Sequence, residues 1–129
     1  MTITAATIVI GVHLFSLHTA PGLEAANPGL YVRHESGDTA GVFRNSYART
    51  SAYAGYTLET ADRRFALTLG AVTGYPAKPV LPLAVPSVRF GLSGLGVADQ
   101  VAARVAYLPK PPGRIGRSHA LHLSIEKEF

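Results

Sequence analysis

Between Arg33 and Tyr53 the chain reads RHESGDTAGVFRNSYARTSAY, its richest run of side chains able to do chemistry. His34, Ser36 and Asp38 come first, followed by Arg44, Asn45, Ser46, Tyr47, Arg49 and Tyr53. Residues two apart on a strand point the same way, so His34 and Ser36 could act as base and nucleophile. Arg44 and Arg49 offer guanidinium forks that suit a carboxylate or phosphate, with tyrosines flanking it. The same stretch also reads as a solvated hairpin whose Arg and Glu side chains pair across strands. The candidate binding residues are therefore His34, Arg44, Asn45, Tyr47, Arg49 and Tyr53. No residue is assigned a catalytic role.

The remaining candidates are thinner. The five histidines, His13, His18, His34, His119 and His122, show no His-x-x-x-His or His-Glu-x-x-His spacing, so no metal site is expected. His13 lies in an apolar run and reads as a hydrogen-bonded core histidine. His119 and His122 are an odd number apart and face opposite sides of a strand. Convergence of His13, His34 and His122 is left to the fold. Cysteine is absent, which excludes disulfides, thiolate nucleophiles and Cys-ligated zinc or iron–sulfur centres. The glycine-rich run from Gly91 to Gly96 lacks the lysine and following helix of a phosphate loop. No cofactor is expected.

These residues must be carried by strands. The chain has 129 residues, 13 Gly and 9 Pro, is 47% hydrophobic and only 16% charged; that suits short strands and turns better than helices or disorder. Alternation of period two recurs and helical periodicity does not. Strands are expected at Ile8–His18, Leu30–Glu35, Ala40–Asn45, Thr50–Thr60, Phe65–Gly74, Pro86–Leu92, Val101–Leu108 and Ala120–Phe129. Ile8–His18 is apolar on both sides and is expected to be covered on both faces. Asn27-Pro28-Gly29 reads as a turn. Tyr75–Pro86 carries Pro76, Pro79, Pro82 and Pro86, and is expected to cross an edge or a barrel end. Gly91–Asp99 and the Pro/Gly-rich Pro109–Arg117 read as links. The whole predicts one all-β domain over 1–129, an antiparallel meander of about eight strands, with a small barrel favoured over a sandwich.

Three resemblances bear on function. His34 and Ser36 are similar to the His-x-Ser-Asn motif of outer-membrane lipid A deacylases, in which histidine activates serine. Here Gly37 stands in place of Asn, and no acidic residue lies at the comparable distance near Ala48. The closing alternation Leu121, Leu123, Ile125, Phe129 resembles the last strand of outer-membrane barrels, interrupted by Lys127. Most widely, NPGLY from Asn27, GVFRNS from Gly41, SAYAGY from Ser51, GAVTGY from Gly70 and LHLS from Leu121 resemble small β proteins of bacteriophages and prophages.

That last resemblance implies a phage-derived accessory protein acting by binding, either a virion or assembly component or an inhibitor of a host factor. Its partner would be a phage or host protein, or a second copy of the chain. The net charge of +4 is scattered, which speaks against nucleic acid. Thr7–Leu17 lacks the flanking charge and cleavage site of an export signal, so host cytoplasm or virion is the expected location. A membrane barrel needs strands of about 9–11 residues, and the Leu30 and Ala40 strands read shorter, so a soluble domain is preferred. The alternatives are a cell-envelope β-barrel, lipid-binding or deacylase-like, and an anion- or nucleotide-binding module.

Overall fold

The computed structural model describes residues 7–18, 26–45, 47–75, 78–92, 100–108 and 120–129. Eight strands follow one another: β1 (Ile8–His18), β2 (Ala26–His34), β3 (Asp38–Arg44), β4 (Thr50–Glu59), β5 (Phe65–Thr73), β6 (Val80–Gly91), β7 (Val101–Leu108) and β8 (Ala120–Glu128). Each pairs antiparallel with the next, and β8 returns to pair with β1, closing the sheet into a barrel. The expected all-β meander is thus a closed eight-stranded barrel. The expected link Pro109–Arg117 and most of Gly91–Asp99, together with Ser46 and His119, lie outside the described residues.

Alternation along the strands divides outside from inside, and the division is the reverse of a water-soluble core. On β4, Ala52, Ala54, Tyr56 and Leu58 face out, whereas Ser51, Tyr53, Gly55 and Thr57 face in. The pattern repeats around the wall, where Ile10, Val12, Phe15, Leu17, Leu30, Val42, Phe65, Leu69, Phe90 and Leu121 are all exposed. Among the described buried residues, twelve are polar or charged and seven are apolar.

Three local expectations need correction. The first concerns β1, whose pairing shifts between His13 and Phe15 against both β2 and β8. A bulge inserts one residue and reverses the facing of everything beyond it. Phe15 and Leu17 therefore turn out and Ser16 turns in, so that beyond Val9 the inner side carries Gly11, His13 and Ser16 while the outer side stays apolar. The second concerns Asn27-Pro28-Gly29, which is no turn but part of the nine-residue β2. Pro28 is accommodated opposite that bulge, where neither β1 nor β3 has a partner in register with it.

The third concerns the prolines of β6. Pro82 and Pro86 lie within this twelve-residue strand rather than in a crossing segment. Their alignment explains why. Arg89 donates its N–H to Arg64, on the β5 side, and Leu92 donates to Val101, on the β7 side. Pro82 and Pro86 share the parity of Leu92, so their missing donors fall on the β7 side. Pairing with β7 begins only at Ser87. Both prolines thus sit where no ladder bond is lost.

Space inside is set by close approaches. Gly11 pairs with Tyr31 across β1 and β2, and a Cβ at Gly11 would lie 2.0 Å from Tyr31 Cζ. Glycine is the residue that lets the phenol ring lie over β1. Gly11→Ala should destabilise the barrel by about 1–3 kcal/mol through overpacking. In a double-mutant cycle with Tyr31→Ala, measured by denaturant unfolding, most of that loss should disappear. Additive effects would contradict the packing argument.

Candidate functional site

The barrel interior has two parts, and Glu126 organises the first. Its carboxylate accepts the Tyr31 O–H at 2.5 Å and Arg104 Nη2 and Nε at 2.8 and 3.1 Å. Arg33 Nη2 adds contacts at 3.3 Å, and Arg89 Nε lies 3.7 Å away. Around this centre Arg33 reaches Glu59 at 3.6 Å, and Arg63 reaches Glu59 at 3.8 Å and Glu128 at 2.5 Å. Arg104 Nη1 is held by Ser87 Oγ at 2.9 Å. Burial by itself would raise the Glu126 pKa; the hydrogen bonds and charge of Arg104, the charge of Arg33 and the Tyr31 hydroxyl outweigh it and hold the group at about 2. The cluster fills the half of the barrel next to the β2–β3 and β4–β5 turns.

The second part is a cavity of about 130 Å³ reaching toward the opposite end. One wall carries Phe43, Val72, Leu83, Val85, Ala106 and Leu108, from β3, β5, β6 and β7. The other carries His13, Ser16, Asn27 and His122, from β1, β2 and β8, and Tyr31, Arg33, Ser87 and Arg104 of the first part also line the cavity. Across this polar side runs a chain of hydrogen bonds. Ser16 Oγ meets His122 Nδ1 at 2.8 Å, His122 Nε2 meets His13 Nδ1 at 2.8 Å, and His13 Nε2 meets the Tyr53 hydroxyl at 2.9 Å.

Each imidazole in this chain donates from one nitrogen and accepts at the other, so the bonds all run one way or all the other. Run from Ser16 toward Tyr53, they leave Ser16 with His122 as a general base, the arrangement that activates a serine nucleophile. Burial and the neighbouring His122 push the His13 pKa down to about 3; burial and His18 push His122 down to about 4. Both rings are neutral at physiological pH. The bulge in β1 makes the arrangement possible, because residues 13 and 16 on a regular strand would face opposite sides.

The residues singled out in the sequence do not form one site. His34 lies at the exposed end of β2, beside the turn carrying Ser36. Its Nδ1 accepts the Ser36 backbone N–H at 3.1 Å and lies 2.9 Å from Ser36 Oγ, whose proton goes to Asp38 at 3.1 Å. These contacts stitch a turn. Arg44, Asn45, Tyr47 and Arg49 belong to the opposite end of the barrel. Asn45 is fully buried: its amide donates to Ser51 Oγ and the Gly74 carbonyl, and its oxygen accepts the N–H groups of Tyr47 and Arg49. It braces a turn in which Ala48 takes a φ of 61°. Tyr47 packs edge-on against Tyr75 at 5.9 Å. Arg44 and Arg49 are exposed, while Tyr53 alone of the six joins the interior chain.

Sequence spacing could not find Ser16 with His122, which lie 106 residues apart and meet only through β1–β8 closure. Among the described residues no group of three or more His, Cys, Asp or Glu could hold a metal ion. Compared with known protein families and with curated proteins, the chain matches none.

The buried neutral histidines make stability depend on pH with a definite sign. Below the unfolded value of 6.5 the unfolded chain binds protons that the folded rings refuse, so stability falls as pH drops toward 4 and 3. At pH 5 each ring should have cost on the order of 2 kcal/mol. A second loss begins below 4.5, as protons compete with the ion pairs of Glu126, and continues toward pH 2. Urea midpoints followed by circular dichroism should show both windows, and His122→Asn should roughly halve the upper one, leaving the His13 share, without changing the lower. A midpoint constant from pH 7 to 5 would contradict the buried pair.

Proposed function

We propose that this chain is an integral β-barrel of a cell-envelope membrane whose interior accommodates the apolar part of a small amphiphile. The reversed polarity carries the reading. Large apolar side chains are exposed on every one of the eight strands, more than the scattered few a soluble monomer carries, and outward apolar with inward polar alternation is the pattern of membrane-spanning barrels. Dimensions agree. A nine-residue strand at about 3.3 Å per residue, tilted by roughly 40°, rises about 23 Å, close to the apolar band of such barrels. Closure pairs each strand with both neighbours, which leaves the stretch of β6 before Ser87 as the edge without a β7 partner.

The two-faced cavity supports the second half of the proposal. Its volume of about 130 Å³ approaches that of an engineered apolar cavity that binds benzene, so a short apolar group fits. The apolar wall includes Leu83 and Val85, beside the stretch of β6 that pairs with β5 but not with β7. That seam offers a lateral way from bilayer to interior. The Ser16–His122 contact favours a second reading, hydrolysis of a lipid ester: Ser16 Oγ attacks the carbonyl, His122 takes its proton and gives it to the departing alcohol, and water then releases the acid from Ser16. Ser16→Ala should then abolish turnover of a p-nitrophenyl acyl ester without changing the fold.

A soluble phage accessory protein acting through a protein partner would instead leave these side chains in water. Leu69→Arg, at the middle of β5 on the outer face, separates the two. In a bilayer the substitution should destabilise the barrel by about 2–4 kcal/mol. In a water-facing protein it should stay within about 0.5 kcal/mol. Equilibrium unfolding in lipid vesicles measures the difference. Folding in buffer without detergent or lipid, with a neutral Leu69→Arg, would return the soluble reading.

A further inference from the structure

We infer that the head group received by this cavity is a carboxylate, bound by the guanidiniums of Arg33 and Arg104, so that the occupant is the anion of an aliphatic acid. The inference rests on the reading of the cavity as an amphiphile site and names the chemistry of the occupant. Arg33 and Arg104 line the cavity, and among the described residues no Asp or Glu does so. The other titratable groups of the lining are uncharged at physiological pH. Burial holds His13 and His122 neutral, and burial raises the hydroxyl pKa of Tyr31, Tyr53 and Tyr75. An incoming head group therefore meets positive charge.

The balance of charge in the lumen agrees. Arg33, Arg89 and Arg104 stand against Glu59 and Glu126, while the more exposed Arg63 and Glu128 pair with each other. One monoanion evens that balance. Donors remain for it, since a guanidinium carries five N–H groups. Arg104 gives Nε and Nη2 to Glu126 and Nη1 to Ser87, which leaves a second proton on each terminal nitrogen beyond those bonds. Arg33 meets Glu126 through Nη2 and Glu59 through Nε, and its Nη1 takes part in neither contact. A carboxylate joined to these protons leaves the contacts of Glu126 in place, and charge-assisted bonds offset its desolvation.

Tyr53 connects the arginines to the histidines. It lines the cavity, its hydroxyl lies 2.9 Å from His13 Nε2, and the charge of Arg33 acts on it. When His13 donates to Tyr53, the tyrosine proton is left for another acceptor. A carboxylate beside Arg33 is such an acceptor, and taking that proton in a hydrogen bond fixes the direction of the whole chain. Both histidines then carry their proton on Nε2, and Ser16 donates to His122. Phe43, Val72, Leu83 and Val85 take the alkyl part. A cationic head group is repelled by the same two arginines.

The test uses the full chain in lipid nanodiscs at neutral pH, with hexanoate, 1-hexanol, hexylammonium and acetate as probes. Binding is followed by the ¹⁵N–¹H signals of the Arg33 and Arg104 side chains, and affinities are referred to each probe's free aqueous concentration. Hexanoate should bind at least about tenfold more tightly than 1-hexanol, the preference expected of charge-assisted hydrogen bonds. Hexylammonium should not bind. In the hexanoate complex the imidazole ¹⁵N signals should report the Nε2–H form of both His13 and His122. Glu59→Gln, which adds to the positive excess, should tighten hexanoate several-fold, and Arg33→Gln should abolish its preference over hexanol. Equal binding of hexanoate and hexanol would overturn the carboxylate and leave the amphiphile site standing, as would tighter binding of hexylammonium. Nδ1–H imidazoles in the hexanoate complex would overturn the contact with Tyr53. Acetate binding as tightly as hexanoate would instead reject the apolar half of the site, and with it the amphiphile reading; binding of none of the probes would reject the cavity as a site. The comparison of probes in the unaltered chain decides the matter even if Arg33→Gln fails to fold.

Discussion

Pairing of β8 with β1 is the constraint on which the other features depend. An open meander of eight strands would present two unpaired edges and no separate interior. Nine residue pairs, from Val9↔Glu128 to His18↔Ala120, remove those edges and create an inside. Only then does each strand have one face toward the lumen and one toward the surroundings. The same seam carries the bulge at residue 14, so closure and the placement of Ser16 beside His122 are one structural event.

The interior closure creates cannot be filled in the ordinary way, because the apolar side chains have gone to the outer wall. Glu126 resolves one half by drawing Arg33, Arg104 and Tyr31 into a mutually satisfied cluster. Buried charges of this kind are tolerated because each has partners, and removing any one would strand the others. The other half stays partly open, with a hydrogen-bonded polar side facing an apolar one. Charged cluster and cavity therefore share one lumen, and Glu126 in the first and His13 and His122 in the second tie stability to pH.

Much of the fold was legible. Alternation in Thr50–Glu59 and Phe65–Thr73 located strands almost to the residue. Less was legible where local rules met a neighbouring strand. Pro82 and Pro86 read as breakers because proline lacks a donor, yet the donor is not missed where β7 is absent. The polar stretch from Arg33 to Tyr53 looked like one site because its residues are near in sequence. A hairpin sends them to opposite ends of a barrel and to opposite sides of its wall.

The sequence by itself determined the strands, their two faces and the chemical contrast between those faces, since side-chain period and turn preference are local properties. It did not determine which face is the inside, because period two is the same for a soluble sandwich and for an inside-out barrel. That decision belongs to closure and curvature, which set the narrow side of the sheet. Nor could spacing bring Ser16, His13 and His122 together: one pair needs a bulge that reverses parity, and the other needs a contact between the first and last strands. Long-range pairing is a property of the whole sheet, and it made the interior that local sequence could not announce.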